Sequence, residues 1–335
     1  VSINAGDVTL TGTIDAGTGT ALIAPSTAVA IGLGGAAGTF TLTDATADQI
    51  TASTLEIGTS TSGAIAIDDF SPANFTTLVL RTDEGVSQGT VDAGIDLNIA
   101  NLAIDSDTGV DIDVDVSTLA INNADAASNI QIDSNSASLT IGNVTTSTGA
   151  IQGITTNGSA TIAGATALTV ENAITADGTV SLSAVNGVTL SSTNGDVTTN
   201  GGTFTVDADS NNDGTGTYSQ DDVGSAVTTS NGTVSITAGD VSLTGTIDAG
   251  TGTALIAPST AVSIGLGGAA GAFTLTDAMA DQISGTRLEI GTSTSGAIRI
   301  DDFSPANLTT LVLATDEDVA QGTVDAGIDL TIANL

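Results

Sequence analysis

The chain has 335 residues, 38 acidic against 3 basic, with no Cys, His or Trp and a net charge of −35. That balance argues against nucleic-acid binding, which needs Lys and Arg to neutralise phosphates, and against anionic membrane surfaces; divalent cations are the natural partners of so many carboxylates. No disulfide can staple the fold, and a Cys-free chain needs no oxidising machinery after export. With 40% apolar and 2% aromatic residues, a core has to be built from Val, Ile, Leu and Ala.

Val1–Leu102 returns as Val234–Leu335, offset by 233 positions, with 15 differences over 102 residues. Residues 103–233 form the linking part of the repeat. A period this long with so few changes is a tandem array, read first as a repeat architecture. The chain begins and ends in mid-pattern, so it reads as a window on a longer repetitive protein. The residues after Leu335 are then expected to resemble AIDSDTGVDIDVDV, and those before Val1 TSNGT. The whole of 1–335 is expected to be one continuous segment.

The copies also indicate which side chains face inward. Apolar residues come in pairs around one variable residue: Val8-x-Leu10, Val29-x-Ile31, Ile65-x-Ile67 and Leu97-x-Ile99. Between copies Thr9 becomes Ser242, Ala30 becomes Ser263, Ala66 becomes Arg299 and Asn98 becomes Thr331. Each change falls on the middle residue. Successive strand residues face opposite sides, so the pairs are strands whose middle residues face solvent. One inward position, Phe75, becomes Leu308 and stays large and apolar.

Ala16–Thr43 carries no charge over 28 residues, longer than a bilayer requires. Pro25, Gly32, Gly34, Gly35 and Gly38 interrupt it and no basic flank orients it. It reads as two buried strands joined by Gly-rich turns, not as a membrane span. Further pairs follow in order: Phe40-x-Leu42, Leu55-x-Ile57, Leu78-x-Leu80, Val110-x-Ile112-x-Val114, Leu119-x-Ile121, Ile130-x-Ile132 and Leu139-x-Ile141. Leu168-x-Val170, Val180-x-Leu182, Val188-x-Leu190 and Phe204-x-Val206 complete the linking part. Turn residues separate them, and no stretch keeps an i, i+3, i+4, i+7 pattern.

Short regular strands suit a sandwich, a closed barrel or a β-solenoid. A sandwich would need domain boundaries and large core aromatics, and a barrel closes on a fixed strand number. A solenoid extends coil upon coil. The expected fold is all-β: a right-handed parallel β-helix with about 20 residues per coil.

Ala47–Asp69 (ADQITASTLEIGTSTSGAIAIDD), its copy Ala280–Asp302 and Thr90–Ile104 (TVDAGIDLNIANLAI) resemble filamentous-haemagglutinin-type adhesins, giant repetitive surface proteins of Gram-negative bacteria. The resemblance implies export to the cell surface, a right-handed β-helical shaft, and a role in adhesion or surface structure. Its implied partners are adjoining repeats of the same chain or filament and possible surface glycans.

The sharpest motif is Asp207-Ala-Asp209-Ser-Asn211-Asn-Asp213-Gly214. Asp209, Asn211, Asp213 and Gly214 match the first half of a calcium loop, D-x-[DN]-x-[DN]-G, in which alternate oxygens converge on one ion. Asp207, Asp209, Asn211 and Asp213 are the candidate Ca2+ ligands. Gln220 stands at the twelfth position, where a bidentate Glu is usual, with Asp221 and Asp222 following. Asp111, Asp113 and Asp115 share a strand face but stand about 6.7 Å apart, too far to ligate one ion together; Asp105 and Asp107 are their nearest possible helpers.

Parallel β-helices also include polysaccharide lyases and hydrolases, and Asp68-Asp69 recurs as Asp301-Asp302. Neighbouring strand residues point apart, there is no His, and no Arg occupies the same place in both copies. A site that stabilises developing negative charge has no repeated candidate, so a non-catalytic, structural chain is expected. The alternative is a polysaccharide-binding or -degrading β-helix.

Overall fold

The computed structural model describes residues 1–89, 94–126, 128–191, 193–322 and 330–335. Among these the chain is a parallel β-helix, with two single-turn helices, Asp44–Ala47 and Asp277–Ala280. Each helix is capped by a threonine, Thr43 or Thr276, whose side chain accepts an N–H of the first turn. The uncharged stretch resolves into three short strands, Thr20–Pro25, Ile31–Gly34 and Phe40–Leu42. No described helix is long and apolar enough to cross a membrane.

The chain divides into two compact units, Val1–Ala165 and Thr166–Leu335. The division lies inside the linking part, not at the edge of a repeat copy. In the first unit the strands Thr20–Pro25, Thr54–Gly58, Thr77–Arg81, Asn101–Ser106 and Thr118–Ala126 form one parallel wall. Their register stacks Leu55, Leu78, Leu102 and Leu119 in one column and Ile57, Leu80, Ile104 and Ile121 in the next, all essentially inaccessible. A second wall runs through Ile31–Gly34, Ile65–Asp68, Val86–Gln88, Val110–Asp115 and Ile130–Ser134, aligning Ile31, Ile65, Val86, Val110 and Ile130. β-Branched and leucine side chains repeat well in such columns because each sits on a near copy of itself.

The second unit repeats the device with Val180, Phe204, Val234, Ala254, Leu288 and Leu311 in register. A neighbouring column holds Val197, Val227, Ile247 and Ile283. The strand Thr217–Gln220 departs from the aliphatic rule. It places Tyr218 between Val188 and Val241, and Gln220 between Leu190 and Leu243, both fully buried. The Tyr218 hydroxyl has no hydrogen-bond partner, and burial raises its phenol above the ordinary value.

Coils are not uniform. Leu102 and Leu119 are neighbours across 17 positions, whereas Ile31 and Ile65 span 34. Extra residues leave the wall as helical turns, loops and a hairpin, so the inward columns persist, with a register shift between Asn123 and Ala126 where Thr118–Ala126 meets Ile154–Asn157. One corner of the second unit shows the cost of close stacking. A Cβ on Gly202 would lie 2.1 Å from the Gly178 carbonyl oxygen, on Gly232 2.1 Å from that of Gly202, and on Gly252 2.2 Å from that of Gly232. Only glycine fits there.

The two copies are not identical in their strands. In the second copy Asp240–Leu243 and Thr246–Asp248 are strands, paired with Thr217–Gln220 and Ala226–Thr228. In the first copy residues 7–10, which differ from 240–243 only at Thr9, form no strand. The differences between copies also re-pair charges. Arg299 and Asp318, which stand where the first copy has Ala66 and Gly85, form an ion pair at 3.2 Å.

Two outcomes are expected. Ile65→Asp puts an unpaired charge into the column and destabilises by more than about 4 kcal/mol, while Ala66→Arg stays within about 0.5 kcal/mol; urea denaturation midpoints separate them. Above the unfolded tyrosine value of about 10, only the unfolded chain releases the Tyr218 proton, so stability falls as pH rises. Tyrosinate absorbance at 295 nm should therefore appear only together with loss of the strand circular dichroism. Ionisation near pH 10 with that signal intact would contradict the burial of the chain's one tyrosine.

Candidate functional site

The predicted calcium loop leaves the wall after the strand Phe204–Asp207 and rejoins it at Thr217–Gln220. Its neck is tight: a Cβ on Gly216 would meet the Ala208 carbonyl oxygen at 1.9 Å. Within the loop the fourth and sixth positions, Asn212 and Gly214, have φ of 54° and 83°, values that suit Asn and Gly and few other residues. Each carboxylate or amide turns the backbone. Asn211 Oδ1 accepts the Asp213 N–H at 3.3 Å, and Asp213 Oδ1 accepts the Thr215 N–H at 2.9 Å and its hydroxyl at 2.5 Å. Asn211 Nδ2 donates to Asp213 Oδ2 at 2.8 Å. The Thr215 hydroxyl, then Asn211, hold the Asp213 carboxyl below its ordinary value, with a smaller effect from the Asp209 side chain.

Asp209 is different from its neighbours: it is 0% exposed. Its Oδ2 accepts the Gly214 N–H at 2.8 Å and the Ser259 hydroxyl from two coils on, while Oδ1 has no partner. Asp207 stands outside this turn at the strand end, where its Oδ1 accepts the Asp209 N–H at 3.3 Å. Gln220 is buried in the wall with its Nε2 donating to the Thr246 carbonyl at 3.3 Å. Asp221 takes the Ser219 hydroxyl and Asp222 the Gly224 N–H. The structure thus gathers Asp209, Asn211 and Asp213 into one turn and gives Asp207, Gln220, Asp221 and Asp222 other work. Among the described residues, no three His, Cys, Asp or Glu side chains stand close enough together to hold a metal; the loop contributes two carboxylates, with amide and main-chain oxygens around them.

The other acidic candidates are held apart. Asp111, Asp113 and Asp115 lie on Val110–Asp115, whereas Asp105 lies on Asn101–Ser106 and is bound to Arg81 and Asn122. Asp69 and Asp302 each have φ of 50° at the corner following their strands.

A second site has no counterpart in the sequence reading. Between Ser138–Ile141 and Ile154–Asn157 the chain leaves the wall as an antiparallel hairpin, Asn143–Thr146 against Gly149–Gln152. Its base is closed by the Gly153 N–H donating to the Gly142 carbonyl at 2.7 Å. The hairpin folds back over the outer face of the wall. Val79 and Ala120, middle residues expected in solvent, form a buried cluster with Ala103 and Val144, with Ile151 packed against it. Glu56, another middle residue, is 1% exposed, and both Ser147 N and Oγ donate to its carboxylate at 2.5 Å. The rule that middle residues face solvent fails here because an inserted hairpin covers the face. The only local signal was two apolar residues, Val144 and Ile151, outside the x-alternating pairs.

Beside that cluster, register places Arg81, Asp105, Asn122 and Thr155 in a row across four strands. Arg81 Nη1 meets Asp105 Oδ2 at 2.6 Å, and Nη2 donates to the Thr146 and Thr148 hydroxyls at 2.8 and 2.7 Å. Asn122 Nδ2 donates to Asp105 Oδ1 at 2.8 Å. Together with Gln152 they line a cleft of about 340 Å³, within the size range of small-ligand sites. The second copy rearranges this face: Ala314 replaces Arg81, Arg287 replaces Thr54, and Arg287 pairs with Glu289, the counterpart of Glu56, at 2.6 Å.

Comparison of the chain with protein-family models, with curated proteins and with solved structures returns no match.

Ser147→Ala removes one of the two donors to the buried Glu56 carboxylate. It should cost about 1–3 kcal/mol and expose Val79, Ala103 and Ala120 to a hydrophobic dye; unchanged stability and no dye binding would mean the hairpin does not depend on this contact.

Proposed function

We propose that the chain is a structural, non-catalytic segment of a long extracellular filament or adhesin, built from tandem β-solenoid repeats and serving surface attachment. The observation that carries the reading is the agreement between copies. Ser2 pairs with Leu22 as Ser235 pairs with Leu255, and Ile31 with Ile65 as Ile264 with Ile298. Wall positions keep their identity while the outer charges are re-paired, as a stacking element with a variable surface requires. The net charge of −35 keeps such segments apart in solution, and the resemblance to filamentous-haemagglutinin-type adhesins supports export to the cell surface.

The Arg81 cleft favours a second reading, a polysaccharide-binding or -degrading β-helix, because hydroxyls, amides and a compensated guanidinium offer alternating donors and acceptors to a hydroxyl-rich ligand. Electron micrographs of the full-length protein from its native cells decide between them. Long thin fibres on the cell surface are expected; compact monomers that release reducing or unsaturated sugar ends from matrix glycans would replace the first reading with the second.

A further inference from the structure

Asp209 poses a problem of electrostatics that the chain does not solve internally. A fully buried carboxylate is costly unless it is paired and hydrogen-bonded. Oδ2 is satisfied by Gly214 and Ser259, Oδ1 by nothing. A second carboxylate, Asp213, belongs to the same turn. The chain has three basic side chains, and each has an acidic partner elsewhere: Arg81 with Asp105, Arg287 with Glu289, Arg299 with Asp318. None of the three is left to compensate Asp209.

We propose that the loop from Asp209 to Thr215 binds one calcium ion, with Asp209 Oδ1, Asn211 Oδ1, an Asp213 oxygen and the Thr215 main-chain carbonyl as protein ligands. Oδ2 is tied to the N–H of Gly214 in the loop itself, and the Asp209 side chain is near enough to act on the Asp213 carboxyl. These residues occupy positions one, three, five and seven of a calcium loop, with glycine at six. Calcium, a hard cation taking six to eight oxygens, accepts such a mixed set and completes it with water. Asp207 is not a ligand, since its carboxylate caps the turn from outside. No bidentate acid stands at position twelve, where Gln220 is buried in the wall, so the affinity falls in the range of extracellular modules, about 10⁻⁴–10⁻³ M.

The ion has a structural consequence. The Asp209 carboxylate that would hold it also holds Ser259, fifty positions later and two coils on, past the intervening strand Val234–Ala238, and Thr260 lies against Gly214. Calcium therefore fastens a coil of the second unit to the next but one at a single corner. The inference is independent of the filament reading, since it concerns only this corner.

The test is calorimetric titration of calcium chloride into the chelator-treated full chain, with thermal melts in calcium, magnesium and sodium at matched ionic strength. One site per chain is expected, with the Tm raised by calcium more than by magnesium or sodium. Asp209→Asn should weaken that site at least tenfold and abolish the calcium-specific rise in Tm. Its Tm in chelator should be no lower than that of the parent, because the amide removes a buried charge. Asn211→Ala, an exposed change outside the wall strands, should weaken binding severalfold and decides the matter if Asp209→Asn does not fold. Equal melting in calcium and chelator, equal effects of calcium and magnesium, or unchanged calcium affinity in both variants would overturn the proposal.

Discussion

Everything in this chain answers to the spacing between one coil and the next. Parallel backbone hydrogen bonds hold successive strands about 4.8 Å apart, and that distance leaves no room for variation inside the wall. Inward side chains must sit on near copies of themselves, which yields the columns Leu55–Leu78–Leu102–Leu119 and Ile57–Leu80–Ile104–Ile121. At the corner of Gly202, Gly232 and Gly252 even a methyl group would strike the carbonyl of the coil below. Anything additional has to leave the wall. The helical turns, the Asp209 loop and the Asn143–Gln152 hairpin are all excursions of this kind, and they are where chemistry collects.

Much of this was legible before any coordinates. Aliphatic pairs around a variable residue report a wall directly, because within those pairs the substitutions between copies fall on the middle residue. The calcium-loop spacing was legible too, since its turn is local. What could not be read is whatever depends on contact between distant segments. The burial of Asp209 depends partly on Ser259 in another coil. Val79, Ala103 and Ala120 look like tolerant outer positions until a hairpin from residues 143–152 lies over them. Tyr218 and Gln220 follow the inward alternation faithfully yet bring polar atoms into an aliphatic column, which pattern alone does not foretell.

The copies also separate two kinds of constraint. Wall residues are held by packing against neighbours above and below, so a change there is felt at once. Outer residues are held by pairwise charge, so they can change together. Ala66 and Gly85 give way to Arg299 and Asp318, and the partner of the conserved outer glutamate passes from Ser147 to Arg287. Two nearly identical backbones thereby present different faces.

The stacked columns reach further than the residues that form them. Val180, Phe204, Val234, Ala254, Leu288 and Leu311 sit one upon the next. Each layer is thus the substrate for the one that follows, in the manner of epitaxial growth on a crystal face. In such a molecule a defect is never merely local: a substitution that roughens one layer degrades the substrate on which the following layer is laid, and the position of a mutation along the stack becomes as informative as its chemistry.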